Sequence, residues 1–132
     1  MKILWIDTEA KEYGLMTGLK RHYAVEVRLT ATGGLGRLRK RNADYSLVIL
    51  EISLLRGRAC HKKDAIPKRI RQRIGEYLLE CIAKRWPSLP VIVLTGCRSN
   101  LDGLELPPKC ELIRKPAGGA EVLDAIERLT QV

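Results

Sequence analysis

The 132-residue chain contains no phenylalanine, two tryptophans and four tyrosines. None of these aromatics falls between positions 56 and 73, the most basic stretch, so that stretch offers no platform on which single-stranded bases could stack. Long hydrophobic runs are also missing. No apolar run approaches the roughly 18 residues of a membrane span. The opening Met1-Lys2-Ile3-Leu4-Trp5-Ile6-Asp7 is a strand-length run broken by an acid, not the core of a signal peptide, and a cytoplasmic protein with no membrane partner is expected. The four cysteines, at 60, 81, 97 and 110, have no Cys-x-x-Cys spacing. Cys81 falls on an apolar helix face and Cys97 follows an apolar strand, so reduced and mostly buried thiols are expected. Cys60-His61 is half of a metal site for which no second pair stands at zinc spacing. A nucleophile–base pair, a Gly-rich phosphate loop and a metal triad are all lacking, which argues against an enzyme.

What is present suits one globular domain spanning 1–132, with 45% hydrophobic residues to build a core and no expected room for an attached output domain. The net charge of +9 is uneven. Arg56, Arg58, Lys62, Lys63, Lys68, Arg69, Arg71 and Arg73 face a single acid, Asp64, and Arg37, Arg39, Lys40 and Arg41 form a second cluster. Together these hold twelve of the 24 basic residues, leaving twelve basic against fourteen acidic residues elsewhere. Clustering of one sign costs self-repulsion and points to a polyanion or an acidic protein as partner.

Four short apolar runs each end on a polar or charged residue: Ile3–Ile6 on Asp7, Leu47–Leu50 on Glu51, Val91–Leu94 on Thr95, and Leu112-Ile113 on Arg114-Lys115. Unbroken apolar runs read as parallel strands buried on both faces. Tyr23–Leu29 alternates Val25 and Val27 with Glu26 and Arg28, as an edge strand does. Helical spacing is found over Ala10–Arg21, and Gly33-Gly34 opens a short helix carrying the Arg37–Arg41 cluster. Another helix is expected from Asp64 or Pro67, with Ile70, Ile74, Leu78 and Ile82 on one stripe and Pro87 as its stop, which sets Lys68, Arg69, Arg71 and Arg73 as a basic ridge on its first two turns. Gly96, Gly103 and Pro107-Pro108 leave room for at most a short helix near 100–106, and Glu121–Leu129 is a closing amphipathic helix. The alternation predicts a flavodoxin-like, doubly wound, three-layer α/β sandwich with a five-stranded parallel sheet of order 2-1-3-4-5. In such sheets the site lies beyond the carboxyl ends of the strands, which gathers Asp7, Glu51, Thr95 and Lys115 in one crevice.

This pattern resembles the receiver domain of two-component response regulators along nearly the whole chain. Ile3–Glu9 is similar to the family's first strand and acidic pair, Asp44–Glu51 to the phosphoacceptor strand, and Pro90–Gly96 and Arg114-Lys115-Pro116 to the last two strands. Gly75, Leu78 and Leu79 resemble the Gly and apolar pair of the third helix. The resemblance implies a site in which carboxylates hold Mg²⁺, an Asp accepts a phosphoryl group, and Thr and Lys contact its oxygens. Mg²⁺ demands near-octahedral oxygen ligands at about 2.1 Å.

Against that pattern the chain departs at the reacting positions. Thr8 stands at the second acid, removing a full charge, and Glu51 stands at the acceptor Asp with one extra methylene. A misplacement on the order of 1 Å can cost about 100-fold in rate. Weak Mg²⁺ binding at Asp7 and Glu51, or none, is the expectation, and no other cofactor is implied. Two readings of Glu51 stay open: a fixed, incomplete mimic of a phosphoaspartate, or a plain partner for Lys115. Leu112 replaces the aromatic residue frequent on the family's fifth strand, and with a short fourth helix the usual output surface is altered. The gap from Glu51 to Gly75 is longer than the family's, and the added residues are the basic segment 56–73, an insertion between strand 3 and helix 3. The expected partners are a signalling protein, such as a histidine kinase or an output protein, or a nucleic acid held through the basic insertion, with a homodimer also open.

Overall fold

In a computed structural model, residues 1–10, 14–41, 43–96 and 101–131 are described. The elements are β1 (Lys2–Ile6), α1 (Leu15–Lys20), β2 (Ala24–Arg28), α2 (Ala31–Leu38), β3 (Leu47–Leu50), α3 (Ile74–Arg85), β4 (Val91–Gly96), β5 (Cys110–Lys115) and α4 (Gly119–Thr130), with a 3₁₀ turn at Lys62–Asp64. All five strands are parallel in the order β2-β1-β3-β4-β5. The expected flavodoxin-like fold is therefore present.

The unbroken apolar runs follow from burial on both faces. Leu4, Ile6, Val48, Leu50, Val91 and Val93 point into one core, closed by Leu35 and Leu38 of α2 and by Leu78, Leu79 and Ile82 of α3. Their neighbours Ile3, Trp5, Leu47, Ile49, Ile92 and Leu94 point the other way, onto Leu15, Met16 and Leu19 of α1 and Val122, Ala125 and Ile126 of α4. Strand β2 is at the sheet edge and half-buried, which is why its sequence alternates.

Three local expectations are corrected. Helix α3 begins at Ile74, not at Asp64 or Pro67. Its would-be first turns are irregular because the backbone there is claimed from outside: Arg56 Nη2 donates to the carbonyls of Lys68 and Ile70, Ile66 is buried in the core, and Arg73 has a left-handed φ of 52°. Lys68, Arg69, Arg71 and Arg73 thus form no helical ridge. Among the described residues no helix joins β4 to β5; 101–109 are turns and irregular chain, and Asn100 lies outside those residues. The cysteines are less covered than expected: Cys60 is exposed and Cys81 and Cys110 are half-buried, while Cys97 lies outside the described residues.

The edge strand is fastened by charge. Glu26 accepts from Arg37 Nε at 2.8 Å, pairs with Lys2 at 3.0 Å and accepts from the Tyr45 hydroxyl. Arg37 first, then Tyr45 and Lys2, hold the Glu26 carboxyl well below the usual carboxylate range, and burial with the bond to Glu26 pushes the Tyr45 phenol up to about 12. A carboxyl whose folded pKa is depressed stabilises the fold above its unfolded value, about 4.3, and loses that contribution as pH falls toward the folded value. Urea midpoints measured at about pH 6 and about pH 3 should therefore fall less in Glu26→Gln than in the wild type; equal drops would show that Glu26 contributes nothing to acid lability.

Candidate functional site

The carboxyl ends of β1, β3, β4 and β5 lie side by side, as parallel pairing in this order requires. Asp7 directly follows β1, and its N–H continues the sheet ladder to Arg28 O at 3.0 Å. Glu51 follows β3, its N–H bonded to Ile6 O at 3.0 Å. Thr95 is fully buried near the end of β4 in register with Arg114, and the next pair is Gly96 with Lys115. The Lys115–Pro116 peptide is cis.

Lys115 is the centre of the crevice. Its Nζ lies 2.7 Å from Asp7 Oδ2 and 3.5 Å from Glu51 Oε1, and the three side chains are only 15%, 2% and 10% exposed. Sequence reasoning paired Lys115 with Glu51 alone; the tighter contact is with Asp7. The other carboxylate oxygens are used locally: Asp7 Oδ1 accepts from Glu9 N–H at 2.9 Å, and Glu51 Oε2 from Ile52 N–H at 2.7 Å. Burial alone would lower the Lys115 pKa, but the hydrogen bond and charge of Asp7, joined by those of Glu51, outweigh it and leave the ammonium raised above its ordinary value.

Thr8 faces away from this chemistry. Its Oγ1 donates to Leu29 O at 2.8 Å and accepts from Leu55 N–H at 3.0 Å, tying the loop after β1 to the ends of β2 and β3. Both functions of the hydroxyl are occupied by backbone. Among the described residues two carboxylates converge, each has one oxygen on a backbone N–H, and the Lys115 ammonium contacts the other oxygen of both. Among the described residues no group of three or more His, Cys, Asp or Glu side chains is placed to hold a metal ion, at Cys60-His61 or elsewhere.

Residues 56–73 lie between β3 and α3 and are folded onto the domain. Arg58, Lys62, Lys63, Lys68, Arg69 and Arg71 are exposed. Arg56 and Arg73 are half-buried and serve the segment itself: Arg56 by its bonds to the Lys68 and Ile70 carbonyls, Arg73 by an ion pair with Glu76 at 2.8 Å and a bond to Asp102 O at 2.5 Å. Both are tied to the chain's own groups and are less exposed than the other six. Sequence reasoning also missed Asp64, which is buried and held by Arg39 through two bonds of 2.8 Å. Its signal was there: a single acid within a run of eight bases has a structural reason to remain.

The parallel 2-1-3-4-5 sheet is that of flavodoxin-like, CheY-like receiver folds, and here it carries Asp7, Glu51, Thr95 and Lys115 at the ends of β1, β3, β4 and β5. Solved structures agree. The chain is similar to a response regulator receiver domain protein from Clostridium thermocellum, with 25% identity and a TM-score of 0.72 over 98% of this chain and 93% of that one. A CheY-like receiver domain protein from Methanospirillum hungatei JF-1 gives 25% identity and a TM-score of 0.68, covering 97% and 92%. A response regulator receiver protein from Sinorhizobium medicae WSM419 matches in fold, with 18% identity, a TM-score of 0.71 and coverage of 98% and 94%. No protein-family model and no curated protein matches the sequence.

Proposed function

We propose that the protein is an atypical receiver-like domain that acts in signal transduction through protein–protein contact, without phosphorylation at its third-strand carboxylate and without catalysis of its own. The observation that carries this reading is Lys115 held at 2.7 Å by Asp7 and 3.5 Å by Glu51, in a crevice where Thr8 is already committed to backbone. The ammonium supplies the positive charge that a metal ion would otherwise bring, so the state of the crevice is fixed by the chain itself. Glu51 brings one negative charge and two oxygens, against roughly −1.5 to −2 and three oxygens for a phosphoryl group. With Asp7 as the tighter partner of Lys115, Glu51 fits the role of a charge partner better than that of a phosphoaspartate mimic.

No helix of the described residues is long and apolar enough to cross a membrane, which suits a cytoplasmic signalling role. A kinase or an output protein is the partner class this reading favours, and the partly exposed Leu112 on edge strand β5 is available to such a contact. Incubation with acetyl phosphate and Mg²⁺ should leave the mass of the chain unchanged. A phosphoryl group mapped to Glu51 would sink the proposal.

A further inference from the structure

The two basic clusters, some twenty residues apart in sequence, meet in space. Thr30 and Leu55 form a parallel bridge, Ala31 N–H bonds Leu55 O at 2.9 Å, and Thr32 N–H bonds Arg56 O at 2.9 Å. Gly57 then passes so close to Thr30 and Thr32, at a φ of +80°, that any side chain there would collide with both. Farther on, the Arg39–Asp64 pair clamps the insertion to the end of α2. Near these two ties lies a cavity of about 480 Å³, walled by α2 on one side and by Arg58, Cys60 and His61 on the other.

Its electrostatics are one-sided. Asp64 is the only carboxylate lining it among the described residues, and Arg39 already neutralises that charge. Arg37 is taken by Glu26. Lys40 and Arg58, one from each wall, have no ion-pair partner among the described residues, and Arg28 adds a third positive charge. Gly33 and Gly36 keep the α2 wall low. Thr32, also lining the cavity, is 4% exposed and its hydroxyl has no hydrogen-bond partner among the described residues.

We propose that this cavity binds the phosphate group of a small phosphate ester, of about the size of a sugar phosphate. Its volume falls within the roughly 300–1,000 Å³ of small-ligand sites. A phosphomonoester brings roughly −1.5 to −2 charge and three acceptor oxygens, matching cations that converge from two walls. A polymer backbone would instead need an extended basic stripe, and no Phe, Tyr or Trp lines the cavity to stack a base. The proposal is independent of the Asp7–Lys115–Glu51 crevice, which shares no residue with it.

Isothermal titration at low salt with ribose 5-phosphate, inorganic phosphate and ribose tests this on the intact chain. Saturable binding of ribose 5-phosphate is expected, with ribose silent. Lys40→Ala and Arg58→Ala should each weaken it about tenfold, and the off-cavity control Lys68→Ala/Arg69→Ala should leave it unchanged. Equal binding of inorganic phosphate would also support the cavity as a phosphate site. The proposal is overturned if neither phosphate probe saturates, if the Lys40→Ala/Arg58→Ala double variant binds as the wild type does, or if a single-stranded oligonucleotide binds through Lys68 and Arg69 while ribose 5-phosphate does not.

Discussion

Replacing Lys115 by Met should destabilise the protein by about 3–5 kcal/mol, the usual cost of leaving buried charge without its partner. Among the described residues Lys115 is the one cation in contact with both Asp7 and Glu51, and both carboxylates are buried. The side chain of Met has similar length, so the loss reports charge and not a cavity. Chemical denaturation gives the number directly. The account further requires rescue: in the Lys115→Met background, Asp7→Asn should recover more stability than Glu51→Gln, because the 2.7 Å contact is the stronger. If Lys115→Met lost less than about 1 kcal/mol, as exposed ion pairs do, the crevice would not be the closed cluster described here.

Gly75→Ala is the second large effect, and its cause is steric. Gly75 opens α3 against the end of β3, where its N–H bonds Ile52 O at 2.8 Å. A Cβ there would land on the Glu51 carbonyl oxygen, 2.5 Å from Ile52 Cα and 2.9 Å from the Glu51 carbonyl carbon. All three atoms are backbone, so no side-chain rotation relieves the clash. Either α3 moves away from the sheet or β3 loses its register with the crevice. A cost of about 3 kcal/mol is expected, which corresponds to a Tm lowered by roughly 10 °C for a domain of this size. Gly14→Ala, where nothing lies within 4 Å, is the control and should leave Tm near that of the wild type.

These two positions show what could be read from the sequence. The strands were legible because both faces of the sheet are covered, so Ile3–Ile6 and Leu47–Leu50 carry no polar residue until the chain leaves the sheet at Asp7 and Glu51. Sheet order followed from the same fact, and Gly75 from its place ahead of Leu78 and Leu79. The start of α3 was not legible. Ile70 stands four residues before Ile74 and mimics a helical stripe, yet its carbonyl is captured by Arg56, a contact between residues fourteen apart that no local period encodes. The division of Lys115 between Asp7 and Glu51 was hidden for a related reason: it depends on side-chain reach across three strands. So did the joining of the two basic clusters, which hangs on the bridge between Thr30 and Leu55 and on the pairing of Arg39 with Asp64.

Room for at most a short helix was expected near 100–106, and none forms over 101–106. Gly103 adopts a φ of +76°, and Pro107-Pro108 follows within a few residues, so a helix has too little room to nucleate there. The face of α3 and β4 beside this connection, around Leu79, Ile82 and Val91, borders a groove with Pro107, Pro108 and Cys110. Among the described residues, the surface of this connection is shaped by prolines and not by a helix between β4 and β5.

The most direct test of the central claim is intact-protein mass spectrometry after incubation with acetyl phosphate and Mg²⁺, run beside a receiver domain that keeps Asp at the end of its third strand. Under the proposed function the control should gain one phosphoryl group and this protein none, because Glu51 stands where the control has its acceptor Asp and Lys115 Nζ contacts both Asp7 and Glu51. A stable phosphoryl adduct on Glu51 under conditions that modify the control would contradict that account.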